Sequence, residues 1–294
     1  MPSFSDSELF SKLDTRDRDR LEALAKLDRF DAGQQIVAGG EKSEWLSLIV
    51  TGGVDMSARV DGQDVVLAPL GPGSLFGEVE TFGELPPSVR HVARQETFVR
   101  AIPKNPLRAE LRAHPQLAAG LLFAYCRSIS EKIRPASEAA ARSAPLAGPN
   151  LSRPPTGPRA AHVTDDEAKW VSLLGARVEL KAGEVAVAEG DKTRSFYLLE
   201  RGSAEVRKRT PQGEKVLATL GPGDLFGIMA FVDGKPRSAS VVMTEGGSCI
   251  KVDPDALDRA AGMNFTVSFK FLGTLCGVMA RMLCETARSV VGPS

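Results

Sequence analysis

The sequence predicts an α+β protein built from two tandem, jelly-roll-like β-barrels, each flanked by helices. Two observations carry this expectation. The chain repeats itself: shifted by 150 residues, Leu70-Gly71-Pro72-Gly73-Ser74-Leu75-Phe76-Gly77 falls on Leu220-Gly221-Pro222-Gly223-Asp224-Leu225-Phe226-Gly227. No gap is needed from about Leu13/Val163 to about Ile133/Leu283. A repeat of that length is a unit large enough to bury its own core. Within each copy, short apolar runs alternate with regularly spaced glycine turns, the pattern of a sandwich or barrel.

The elements follow in order. Residues from about Ser5 to Leu27 read as a helix with an apolar stripe of Leu9, Leu13, Leu21, Leu24 and Leu27. From Phe30 to Pro103 the pattern becomes short strands. They are divided by Asp31-Ala32-Gly33, Gly39-Gly40, Gly52-Gly53, Asp61-Gly62 and Gly71-Pro72-Gly73. After Pro106, Leu107, Leu111, Leu117, Leu121, Tyr125 and Ile129 restore a helical stripe that leads to Pro135. The segment from Pro135 to Ala161 is rich in Pro, Ala and Ser and cannot build a core, so it reads as a linker into which the preceding helix could continue. The expected domains are therefore 1–134, a linker at 135–161, and 162–294 with a long terminal helix. In that helix Phe265, Phe269, Leu272, Cys276, Met279 and Leu283 step by alternating fours and threes. This heptad seam is expected to form a homodimer. The competing expectation is that both helix faces pack within one chain.

Composition limits the function classes. The chain carries 37 Lys+Arg against 37 Asp+Glu, so no net charge drives binding to nucleic acid by counterion release. The four cysteines form no CxxC pair and stand near no histidine pair, so neither a metal site nor a disulfide framework is expected. The N-terminus lacks the basic and apolar regions of a signal peptide. The apolar run from Phe271 to Ala280 is too short to span a bilayer. The expected location is cytoplasmic, away from membranes. Abundant Ala, Arg, Gly and Pro suggest a GC-rich bacterial genome.

The second copy continues Phe226-Gly227-Ile228-Met229-Ala230-Phe231-Val232-Asp233-Gly234-Lys235-Pro236-Arg237-Ser238-Ala239-Ser240-Val241. This run resembles the phosphate-binding cassette of the cyclic nucleotide-binding domain family, and the resemblance covers nearly the whole chain as two domains. It implies two cyclic-nucleotide-binding-type barrels. A glycine opening a short helix lets backbone N–H groups approach a phosphate, and an arginine adds a charge-assisted contact. By resemblance, the candidate ligand residues of the second domain are Gly227, Arg237, Ser238 and Ser240. Those of the first are Gly77, Glu78 and Ser88, with Arg90 as a displaced substitute for the missing arginine.

Each copy departs from the family pattern at a different place. Ile228 stands where the family has a glutamate that accepts the ribose 2′-hydroxyl. Losing that bond costs about 1.5–3 kcal/mol and weakens the site. Pro87 stands where the family has its phosphate-binding arginine. A phosphate buried there without its counter-charge costs about 3–5 kcal/mol. The second domain is thus the better candidate for an anion, whether cyclic AMP, cyclic GMP or cyclic di-GMP, and the first reads as degenerate.

No catalytic constellation, metal cluster or Walker loop appears around His91, His114 and His162, so an enzyme is not expected. The long helix leads to Val291 and Gly292 with no helix-turn-helix after it, so direct DNA binding is not expected. The tandem order resembles the regulatory subunit of the cyclic-AMP-dependent protein kinase, without an Arg-Arg-x-Ser/Ala segment near the N-terminus. Two functions from different classes fit: a signalling regulator whose second domain senses a nucleotide and controls a protein effector, or a ligand-independent dimeric scaffold with degenerate pockets.

Overall fold

The computed structural model describes residues 3–4, 7–38, 41, 43–60, 62–82, 89–143, 161–211, 213–256, 258–259 and 265–291. Its contacts group into two units: Met1–Ala140 with Leu283–Ser294, and Ala141–Met282. The tail of the last helix groups with the first unit.

In the first unit a 3-10 turn at Glu8–Phe10 and helix α1 (Thr15–Leu24) precede eight strands. These are β1 (Lys26–Phe30), β2 (Gln35–Val37), β3 (Trp45–Thr51), β4 (Val54–Val60), β5 (Gln63–Leu70), β6 (Leu75–Phe76), β7 (Val89–Ala93) and β8 (Thr97–Pro103). Helices α2 (Lys104–Ala113) and α3 (Pro115–Ser143) follow. The strands form two antiparallel sheets, ordered β1-β8-β3-β6 and β2-β7-β4-β5. Most successive strands alternate between the sheets, which is the jelly-roll path. Strand β7 shows the pleat: Val89, His91 and Ala93 are buried while Arg90 and Val92 are less so.

The second unit repeats this path. Helix α4 (Asp165–Ser172) opens on a capping box in which Thr164 and Glu167 bond each other's backbone N–H. Strands β9 (Ala176–Leu180), β10 (Val185–Val187), β11 (Phe196–Leu199), β12 (Ser203–Thr210), β13 (Gly213–Leu220), β14 (Leu225–Phe226), β15 (Ser240–Glu245) and β16 (Gly247–Val252) follow. Helix α5 (Ile228–Asp233) sits between β14 and β15, and α6 (Phe265–Val291) closes the described chain. The sheets are ordered β14-β11-β16-β9 and β10-β15-β12-β13, the order of the first unit with eight added to each strand number. Even the irregularities repeat: register shifts at Met56/Ser57 and at Val206/Arg207, 150 residues apart. The core between the second pair of sheets includes Leu199, Ala204, Phe226, Val241 and Met243.

Two expectations are corrected, and the terminal helix is placed. The N-terminal helix does not reach Leu27; it ends at Leu24, and Leu27 lies in β1 with 54% of its surface exposed. The pairing of β1 with β8 overrides the leucine period there. The linker does not begin at Pro135. Helix α3 runs through that proline to Ser143, with Ala136 and Ala139 buried beyond it. Packing of the alanine face offsets the one backbone bond that proline removes. Most of the expected dimer seam is used inside the chain: Leu272, Cys276, Met279 and Leu283 are buried, and only Phe265 and Phe269 remain partly exposed, with rings 5.5 Å apart. Helix α6 is long and apolar enough to cross a bilayer, but 67% of its most apolar stretch is buried, as in a core helix.

Candidate phosphate-binding sites

In the second unit, β14 ends at Phe226 and the chain turns at Gly227, which has φ +81° and caps α5. Only glycine holds that conformation without strain. Space demands glycine too: a Cβ here would lie 2.9 Å from Arg237 Nη1 and 3.2 Å from the Ser195 carbonyl oxygen. The sequence candidates Gly227 and Arg237 are thus in direct contact.

Arg237 is buried, with 5% of its surface exposed. Its Nη1 donates to the Gly227 carbonyl at 2.8 Å, and Nη2 donates to the Ser195 carbonyl. Nε and Nη2 also reach Thr193 Oγ1 at 3.4 and 3.3 Å. The turn before β11 locks its backbone: Arg237 N–H donates to the Asp191 carbonyl at 2.8 Å and its carbonyl accepts Gly190 N–H at 2.9 Å. All these side-chain acceptors are neutral, and among the described residues Arg237 makes no ion pair. Burial pulls its pKa below the usual arginine range, a shift opposed by Tyr197 and Asp191. Tyr197 stacks on Phe226 at 4.9 Å, and burial pushes its phenol upward.

The other candidates in this domain make contacts of their own. Ser238 accepts Lys208 Nζ through its backbone carbonyl at 2.6 Å. Ser240 Oγ accepts Glu189 N–H at 3.0 Å. Glu189 in turn pairs with Lys208 at 3.1 Å. Ile228 is buried at 1% exposure, so an apolar side chain fills the family's carboxylate position.

The first unit solves the same position differently. Gly77 has φ +93°, and a Cβ there would lie 2.1 Å from the Trp45 carbonyl oxygen. Trp45 stands where the second unit has Ser195. Its carbonyl accepts Ser43 Oγ at 2.8 Å instead of an arginine. Glu78 is not solvated, and its side chain does not cap the 3-10 turn Val79–Thr81 that it precedes. It is fully buried, and Oε1 accepts Lys132 Nζ at 2.6 Å and Ser128 Oγ at 3.0 Å, both from α3. Arg90, the displaced candidate, pairs with Asp64 of β5. Ser88 and Pro87 lie outside the described residues. His91 is buried against Phe76, with ring centroids 5.4 Å apart. Burial, helped by the positive Lys132, pulls its pKa down to about 3.

Sequence reasoning missed Thr193 and Ser195, which act through an exposed-looking loop and a backbone carbonyl. It also missed Lys132 and Ser128. A signal existed for the last two: shifted by 150 residues, they fall on the apolar Met282 and Val278. No group of three metal-ligating side chains occurs among the described residues.

Two jelly rolls each end a strand on a positive-φ glycine, one with a buried arginine folded over it, which is the architecture of a tandem cyclic-nucleotide-binding-type module. The family model described as the cyclic nucleotide-binding domain matches residues 27–114 and 177–263, and the chain belongs to that family. It is similar to the cAMP-dependent protein kinase regulatory subunit of Eremothecium gossypii, 28% identical over 236 residues, covering 80% of this chain and 44% of the relative. The regulatory subunit of Mycosarcoma maydis is 32% identical over 121 residues, covering 41% of this chain and 22% of the relative. The chain thus spans less than half the length of these two relatives. Both are named as regulatory subunits. Among solved structures, the regulatory domain of Toxoplasma gondii PKA with cAMP matches at 18% identity and a TM-score of 0.35, covering 90% of each chain.

Proposed function

We propose that this chain is a non-catalytic signalling regulator in which the second domain binds a cyclic nucleotide through Arg237 and thereby changes its contact with a protein partner. The observation that carries the reading is the state of Arg237. It is a buried guanidinium whose acceptors are all neutral oxygens. Among the described residues no carboxylate bonds the guanidinium directly, and Asp191 acts on it only from a distance. A buried charge whose direct counter-charge is missing is costly, about 3–5 kcal/mol. A monoanionic cyclic phosphate supplies that counter-charge beside Gly227. The fork of the guanidinium suits phosphate oxygens better than a lysine would. Ile228 removes the carboxylate that would hold a ribose hydroxyl, so affinity for cyclic AMP or cyclic GMP is weaker than a complete cassette provides.

The relatives' names associate them with a protein kinase, and a kinase-like catalytic protein is the partner class we assign to this chain. Binding and partner contact are linked reciprocally: whatever the nucleotide does to partner affinity, the partner does to nucleotide affinity. The test is thermal stabilisation of the purified chain by cyclic AMP, cyclic GMP and cyclic di-GMP, with Arg237→Ala as control. Stabilisation by at least one ligand at millimolar concentration or below, lost in the variant, supports the reading. If none stabilises the wild-type chain, the sensor reading fails and a ligand-independent scaffold takes its place.

A further inference from the structure

The first cassette keeps its carboxylate, and the structure shows what answers it. Glu78 is fully buried, and so is Lys132, at 1% exposure. The ammonium sits 2.6 Å from Glu78 Oε1 and 2.7 Å from Ser128 Oγ, and Ser128 Oγ is itself 3.0 Å from Glu78 Oε1. Lys132 Nζ also reaches the Ser128 carbonyl at 3.4 Å. Glu78 Oε2 accepts no hydrogen bond among the described residues. Among the described residues, the Lys132 ammonium and one hydroxyl are therefore the side-chain hydrogen-bond donors this carboxylate has in place of water.

The repeat shows that this is a device of the first domain alone. Shifted by 150 residues, Glu78, Ser128 and Lys132 become Ile228, Val278 and Met282, and the nearby His91 becomes Val241. Every polar member has an apolar counterpart. The fold accepts an apolar filling at these positions, so packing does not demand the charges. They depend on each other: removing one member of a buried pair strands the other, whereas replacing all of them by apolar residues of similar size is close to neutral.

We infer that Glu78 and Ser128 form a primary-ammonium site and that Lys132 of α3 is its built-in ligand. The side chain of α3 seals the first cassette and pins the helix to the turn after Gly77. The first domain is then held in one closed state by its own chain, and a cyclic nucleotide has no carboxylate to claim there. This inference concerns the first domain and stands or falls separately from nucleotide binding at Arg237.

The test is chemical rescue in the full-length chain. Lys132→Ala removes the ammonium and leaves a slot that n-propylammonium can fill. Hydrogen exchange of peptides from 115–143 is expected to rise at least tenfold in the variant. It should return toward the wild-type level with n-propylammonium chloride at tens of millimolar, and not with sodium chloride at equal ionic strength. Unchanged exchange in Lys132→Ala, or equal recovery with sodium, overturns the inference. A purely steric role for the lysine would give the same recovery with neutral n-propanol at equal concentration, and that result also overturns the inference. Should Lys132→Ala not fold, the comparison moves to thermal melting of Lys132→Met against Glu78→Ile/Ser128→Val/Lys132→Met. The triple variant, which copies the second domain, is expected to melt higher than the single one. A triple variant that is no more stable than Lys132→Met overturns the mutual dependence.

Discussion

Three glycines of similar backbone conformation separate strain from contact. Gly183 has φ +80° with nothing within 4 Å of an added Cβ. Gly227 has φ +81°, with Arg237 Nη1 at 2.9 Å and the Ser195 carbonyl at 3.2 Å from that Cβ. Gly77 has φ +93°, with the Trp45 carbonyl oxygen at 2.1 Å. An alanine in the left-handed region costs about 1–2 kcal/mol wherever it stands. Gly183→Ala should cost that and no more. Gly227→Ala must also push back the guanidinium, which weakens its bond to the Gly227 carbonyl. A hydrogen bond to a charged group is worth about 1.5–3 kcal/mol, so the total is about 2.5–5 kcal/mol. Gly77→Ala should be the worst, because the obstacle is backbone and not the end of a flexible side chain. The chain has two tryptophans, Trp45 in the first unit and Trp170 in the second. Urea unfolding by fluorescence in Trp45→Phe and Trp170→Phe backgrounds therefore reads each unit separately. Gly183→Ala and Gly227→Ala should move the Trp170 signal, and Gly77→Ala the Trp45 signal. If Gly227→Ala costs no more than Gly183→Ala, the close contact between Gly227 and Arg237 is not what the structure shows, and the argument for a preformed arginine site fails with it.

Further outcomes are expected. Lys132→Met should destabilise the first unit by about 3–5 kcal/mol in urea, because it leaves Glu78 buried without its counter-charge. Arg237→Lys should weaken cyclic AMP binding by calorimetry about tenfold or more, since an ammonium cannot bridge Gly227 and Ser195 as the fork does. The His91 pKa of about 3 lies below its usual 6.5, so the folded state favours the neutral ring. Its contribution is complete above about pH 6.5 and is lost as pH falls toward 3, with a slope of up to ~1.4 kcal/mol per pH unit. His91→Val should therefore flatten the acid side of the first unit's stability curve.

Much of the fold was legible because the two copies corroborate each other. The ungapped repeat carried the plan of two tandem barrels; the structure adds a strand order and bulges at Ser57 and Arg207 that recur with the same offset. Local period misled where tertiary pairing took over, as at Leu27, which pairs in a sheet edge instead of extending a helix. Pro135 marked the start of the linker with continuation of the helix left open, and the buried Ala136 and Ala139 carry α3 past it. At the sites, Gly227 and Arg237 could be read from the cassette alone. Their acceptors could not, since the carbonyls of Gly227 and Ser195 carry no side-chain signature. Lys132 was overlooked for a different reason: a lysine on a helix reads as solvated, and its apolar counterpart Met282 gains meaning only once a carboxylate 54 residues earlier is known to be buried beneath it.

The central claim is asymmetry: one domain answers an anion through Arg237, and the other is sealed by its own lysine. Calorimetric titration of the chain with cyclic AMP tests it most directly, run in parallel on wild type, Arg237→Ala and Glu78→Ile/Ser128→Val/Lys132→Met. The account expects one site per chain in the wild type, none in Arg237→Ala, and an unchanged single site in the triple variant. Two sites in the wild type, or binding that survives Arg237→Ala and disappears in the triple variant, would contradict it.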